Sequence, residues 1–148
     1  MKSLEMDGLF TSLNPSQIND NIFDLIGNQW MLIASGQQAS YNMMTASWGC
    51  AGFLWKKPVS VIFVRPQRYT CLFLEKHAHY TLNFFDEVHR PILDFCGTHS
   101  GKDTDKMQVQ GLDPMITPMG NVAFRQARLV LECRKLYYDD IKPGNFLS

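Results

Sequence analysis

The sequence predicts a mainly β fold, a mostly antiparallel barrel with short helices over its ends. Three observations carry this. β-Branched and large apolar residues come in short runs separated by Gly, Pro and paired polar residues. These runs do not alternate regularly with helical ones, which argues against a doubly wound parallel sheet. The last apolar run alternates as a strand does when one face is dry and the other wetter.

The opening dozen residues are mixed and read as poorly ordered. "NPSQINDNIFDLIG" then offers Asn14 or Ser16 as a cap, followed by apolar residues at near-helical spacing up to Gly27, so a short helix is expected. Residues 30–36 (WMLIASG), 41–48 (YNMMTASW) and 58–65 (PVSVIFVR) read as three strands, with "GCAG" after the second as a flexible turn. "PQRYTCLFLEKH" opens on Pro66, which suits a first helical turn. It places Tyr69, Leu72, Phe73 and Lys76 at three-and-four spacing, and a helix is expected there. "HYTLNFF" is the next strand. A helix from about Arg90 to Phe95, a Gly-Ser loop, a short helix over "DTDKMQVQG" and a stop at Gly111 come after it. "QARLVLECRKLYY" sets Ala127, Leu129, Leu131 and Cys133 against Arg128, Val130, Glu132 and Arg134, the pattern of a long strand. No repeat, low-complexity tract or linker divides the chain, and residues 1–148 read as one domain.

Lys plus Arg and Asp plus Glu each total 14, so the formal net charge is +0 and nothing draws the whole molecule to nucleic acid or an anionic membrane. Any anion site must be local. No window approaches the roughly 18 consecutive apolar residues of a membrane span, and the first residues lack the apolar stretch of a signal peptide. A cytoplasmic protein is expected. Cys50, Cys71, Cys96 and Cys133 show no C-x-x-C and lie in apolar surroundings, which favours buried free thiols over a disulfide or metal site.

Three stretches are chemically unusual for their positions. "TASWG" places two hydroxyls and an indole at a strand end. "RPQRYT" brings Arg65 and Arg68 to a helix start, where guanidinium forks suit an anion. "CGTHSGKDTDK" supplies backbone amides, hydroxyls and an ammonium in one loop. Each is ordinary taken singly, as a turn or a solvated charge. Three phosphate-compatible loops in a neutral chain are harder to set aside.

Other chemistries fit less well. "GTHSGKD" has three residues between its glycines where a P-loop needs four, and Asp103 stands where Ser or Thr should hold magnesium. His77 and His79 lack an acidic or thiol partner at metal-ligand spacing, and His89 and His99 lie elsewhere, so surface histidines are the better reading. Neither Ser47 nor Cys96 sits in a nucleophile elbow.

"NMMTASWGCAGFLWKKPVSVIFVRPQRYT", "HYTLNFF", "FCGTHSGKDTDK" and "QARLVLECRKLYY" together resemble, in order and spacing, the flavin reductase-like family of the FMN-binding split barrel, flavoredoxin type. The likeness runs from about Leu25 to Tyr138. It implies an antiparallel split β-barrel with short peripheral helices that dimerises and holds FMN near the subunit interface. Thr45, Ala46, Ser47 and Trp48 would then lie along the flavin, and Arg68 and Thr70, with Arg65 close by, would reach the phosphate. Ser100 and Lys102 would complete the pocket, followed by Asp105 and Lys106. The implied function is oxidoreduction through FMN, with NADH or NADPH as a transient substrate or a protein as donor, and with no catalytic acid or base and no metal. An electron carrier without turnover and a scaffold that has lost FMN are the alternatives. Met43 and Cys50 stand where relatives often carry smaller residues. Relatives continue past "IKPGNFLS" into a helix and a closing strand, so the C-terminal end reads as truncated relative to them.

Overall fold

The computed structural model describes residues 8–148, and the expectation for the opening residues lies largely outside these. The strands among the described residues are β1 (Met31–Gln37), β2 (Ser40–Ala46), β3 (Gly49–Leu54), β4 (Lys57–Ile62), β5 (His79–Phe84), β6 (Pro114–Ile116), β7 (Val122–Phe124) and β8 (Leu129–Arg134). They form a four-stranded sheet in the order β2-β1-β5-β8 and two ribbons, β3-β4 and β6-β7, with every pairing antiparallel. The helices are short: α1 (Ile22–Asp24) running into a π-helical turn (Leu25–Gln29), α2 (Thr70–Lys76) and α3 (Arg90–Thr98). This is the mainly antiparallel, unclosed β architecture of a split barrel, as expected.

β1 is buried from Met31 to Gly36 because both faces of the sheet are covered. Its period of two divides the run. Leu32 and Ala34 face a cluster with Met43, Leu93, Cys96 and Phe124, where α3 and the β6-β7 ribbon pack. Met31 and Ile33 face Leu25, Met44, Leu82 and Phe84, with Ile62 of β4 and Leu74 of α2 above them. Phe84 and Phe124 are almost completely buried, each side chain worth about 1.5–3 kcal/mol. Thr81 and Asn83 are the polar members of the first face, and Thr81 donates to the Val122 carbonyl at 2.6 Å, tying β7 to β5.

Several elements differ from the sequence reading. "GCAG" is strand, not turn: Gly49 to Gly52 pair with Ile62 to Val59, and cross-strand partners outweigh the weak strand preference of glycine. The chain reverses at Trp55 and Lys56, both at positive φ (50° and 58°), as a two-residue type I′ turn requires. β4 stops at Ile62 rather than Arg65, and α2 starts at Thr70, with residues 66–69 forming turns in front of it. "DTDKMQVQG" keeps only a 3₁₀ turn (Lys106–Gln108), where the Asp105 side chain accepts from the Met107 amide at 3.0 Å. β6 and β7 were not anticipated, since three residues are too few for a period to show. The cysteines are free, yet only Cys96 is fully buried and Cys50 is exposed, because it points away from the sheet on the β3-β4 ribbon. Among the described residues no helix is long and apolar enough to cross a membrane.

Candidate functional site

The end of α3, the loop after it and the turns before α2 converge on the buried strand β2. They enclose a cleft of about 230 Å³ lined by Gln67, Arg68, Tyr69, Thr70, Thr98, His99, Ser100, Gly101 and Lys106. Its Thr70 is held by Asn42, whose side-chain amide donates to the Thr70 hydroxyl at 2.7 Å, both residues being buried. Gly101 lies so close to this pair that a Cβ there would stand 2.4 Å from Asn42 Oδ1 and 2.6 Å from the Tyr69 ring. Only glycine fits.

Two cations face this space and neither meets a carboxylate. Arg68 donates through Nη1 to the Gly97 carbonyl at 3.2 Å, while its Nη2 is buried without a partner. Burial, and after it the neighbouring Arg65 charge, lower its proton affinity. Lys106 is 3% exposed, and its ammonium donates to the carbonyls of Met43 and Cys96, each at 2.9 Å. Two of its three protons are so placed. Burial brings its pKa down from 10.5 to about 8, the Cys96 thiol opposing that drop and Arg68 adding to it. Orphaned buried donors are rare because each costs roughly 1–3 kcal/mol. An anion seated in the cleft would give Arg68 Nη2 the acceptor it lacks.

His99 adds a third donor or acceptor at the rim. Its ring stacks on Phe95 at 4.1 Å, and its Nδ1 lies 3.0 Å from the Phe95 carbonyl. The Thr98 hydroxyl lies 3.1 Å from the same nitrogen, which fixes the ring at the cleft rim.

The residues singled out from the sequence are distributed as follows. Arg68, Thr70 and Ser100 line the cleft. Thr45 turns its hydroxyl under α3, donating to the Leu93 carbonyl at 2.5 Å. Ala46 is buried among the second core cluster. Ser47 and Trp48 form the short link from β2 to β3, and Trp48 is 54% exposed with the Arg65 guanidinium 4.9 Å over its ring. The Arg65 carbonyl accepts from the Arg68 amide at 3.0 Å. Lys102 is exposed and is not among the cleft residues, although its amide donates to Ser100 Oγ at 3.2 Å and shapes the loop. The buried cation of that loop is Lys106, and its signal in the sequence was only a place in the same motif. His99, read as a surface histidine, is exposed, and its place at the rim of the cleft has no signal in the sequence around it.

The sequence profile of the flavin reductase like domain matches residues 23–138. The chain belongs to that family. The fold is found again in an FMN-binding protein from Thermus thermophilus with bound p-hydroxybenzaldehyde (TM-score 0.70, 17% identity, 89% of this chain and 73% of that one). It recurs in the flavoredoxin from Methanosarcina acetivorans (0.70, 17%, 89% and 67%). The flavoredoxin of Desulfovibrio vulgaris (Miyazaki F) is similar too (0.67, 19%, 88% and 69%). No curated protein sequence matches the chain. The family's defining stretch includes both loops of the cleft and the whole β3-β4 ribbon.

Proposed function

We propose that the chain binds FMN and acts as an oxidoreductase that takes electrons from NADH or NADPH and hands them to an acceptor. The observation that carries this is the unpartnered, buried Arg68 nitrogen in the same cleft as the Lys106 ammonium, in a family whose structural relatives are described as FMN-binding proteins and flavoredoxins. Arg68 and Lys106, with the Ser100 hydroxyl, hold the terminal phosphate through charge-assisted bonds. The strand end Thr45, Ala46, Ser47 and Trp48 runs along the flavin, with Arg65 stacked on Trp48 as its outer wall. FMN, when bound, supplies the reversible acceptance of a hydride or electrons, and the protein supplies position and electrostatics.

The working form is a homodimer. A cleft of about 230 Å³ falls below the roughly 300 Å³ at which small-molecule pockets begin, so one copy grips the phosphate end and leaves the remainder uncovered. Trp48, Phe53, Leu54 and Trp55 stand 54%, 73%, 48% and 72% exposed, an apolar surface of the kind a second subunit covers.

A second reading, an FMN-binding electron carrier without turnover, is favoured by the lack of any G-x-G-x-x-G dinucleotide fingerprint in the sequence. One experiment separates the two. The purified protein is loaded with FMN, compared with riboflavin for affinity, and mixed anaerobically with NADH and then NADPH. Tighter binding of FMN and bleaching of the flavin colour are expected. Bleaching by dithionite but by neither nicotinamide supports the carrier, and failure to take up flavin sinks both.

A further inference from the structure

The β3-β4 hairpin outruns the sheet it rests on. Gly49/Ile62, Ala51/Ser60 and Phe53/Pro58 are cross-strand pairs on one face of the ribbon. Ile62 packs into the core, and the Ser60 hydroxyl lies 3.1 Å from Tyr80 Oη and 3.3 Å from Cys133 Sγ, on β5 and the edge strand β8. Two residues further along the same face Phe53 is 73% exposed. The inward face has therefore passed beyond what it packs on, and the arm ends in Leu54, Trp55, Lys56 and Lys57.

The segment after β8 carries the complementary surface. Lys135 anchors it, its amide donating to the Ala78 carbonyl at 2.8 Å and its ammonium to the Leu74 carbonyl. Beyond the anchor Tyr137, Tyr138 and Ile141 are exposed beside Asp139 and Asp140. The segment is held locally: Tyr137 donates to Asp139 at 2.7 Å, and so does the Asp140 amide at 2.8 Å, which lowers the ordering cost of a partner binding there. Among the described residues neither the two lysines nor the two aspartates have an ion-pair partner. Both surfaces are open within one copy, so they do not cover each other.

We propose that in the dimer the hairpin tip of each copy lies on residues 136–141 of the other, with Lys56 and Lys57 against Asp139 and Asp140. This rests on the dimer reading above. Two apolar strips of opposite charge on the same chain meet twice across a two-fold axis, so each contact is repeated.

The test is a charge exchange between two variants. K56E/K57E makes hairpin and tail both acidic, and D139K/D140K makes both basic. At low ionic strength each variant alone should dimerise at least about tenfold more weakly than the unsubstituted protein by sedimentation equilibrium, less so in high salt. An equimolar mixture should recover heterodimer of near-normal affinity, because both of its contacts pair opposite charges. Unchanged dimers in both variants would overturn this contact and leave the dimer standing. Weakened variants whose mixture does not recover would also overturn it, and an unsubstituted protein that is monomeric with FMN bound would remove the dimer itself.

Discussion

Lys106→Met tests the electrostatics of the cleft, because the lysine is the one cleft cation whose charge changes in an accessible pH range. With a pKa of about 8 in the empty cleft, Lys106 is charged at pH 7 and mostly neutral at pH 9. The phosphate of FMN is already dianionic over that interval. Binding it therefore takes up one proton as pH rises, and affinity for FMN should fall about tenfold between pH 7 and pH 9, or about 1.4 kcal/mol. Riboflavin has no phosphate and should show no such fall. Fluorescence titration of each flavin at half-unit steps reads both slopes. In Lys106→Met the FMN slope should vanish and the affinity at pH 7 should drop toward that of riboflavin. A slope that persists in the variant, or that riboflavin shares, would refute the assignment of this ammonium to the phosphate.

The same shift predicts the sign of a stability effect. The folded value lies below the unfolded one, so between about pH 8 and 10.5 the unfolded chain holds a proton that the folded chain has released. Stability from this group rises with pH through that window, and at neutral pH the fold carries a penalty of about 3 kcal/mol for keeping the buried ammonium charged. Met in its place removes the penalty but leaves the Met43 and Cys96 carbonyls without their donor, at roughly 1–3 kcal/mol each. The two effects nearly offset at pH 7. From pH 7 to 9 the wild type should gain about 1.3 kcal/mol on the variant in urea unfolding. The difference between the two proteins is the quantity to follow, because burial raises the Cys96 and Tyr80 pKa values and their contributions fall as pH rises.

Two further substitutions probe the cleft from other sides. Arg68→Glu should weaken FMN far more than riboflavin, since it replaces the unpartnered donor with a second negative charge, and an equal loss for both flavins would remove Arg68 from the phosphate. Gly101→Ala should destabilise the protein by about 1–3 kcal/mol in thermal or urea unfolding, because the new methyl overlaps Asn42 and Tyr69 and the loop must lift, and FMN affinity should fall with it. Unchanged stability in that variant would show that the loop does not depend on this close approach.

The strands that could be read from the sequence are those whose neighbours in the chain already determine their burial. β5 and β8 keep a period of two over six residues each, and β1 is an apolar run that needs both sheet faces covered. β3 could not be read so, because Gly49, Ala51 and Gly52 are strand only through their partners on β4, ten or so residues away. The site divides in the same way. Arg68 was legible because two arginines between a strand and a helix leave few structural uses for their charge. Lys102 and Lys106 were not separable, since they are the same residue type four positions apart in one polar loop. What separates them is the path of the loop. Gly101 presses against Asn42 and Tyr69, the amides of Asp103 and Thr104 fold back onto the Ser100 carbonyl, and the next turn then carries Lys106 down onto the Met43 and Cys96 carbonyls while Lys102 stays in solvent. That choice is made by β2 and α3, which lie about sixty and ten residues upstream of Lys106. A window along the chain can therefore name the loop that bears the cation, and only the packed sheet can name the cation.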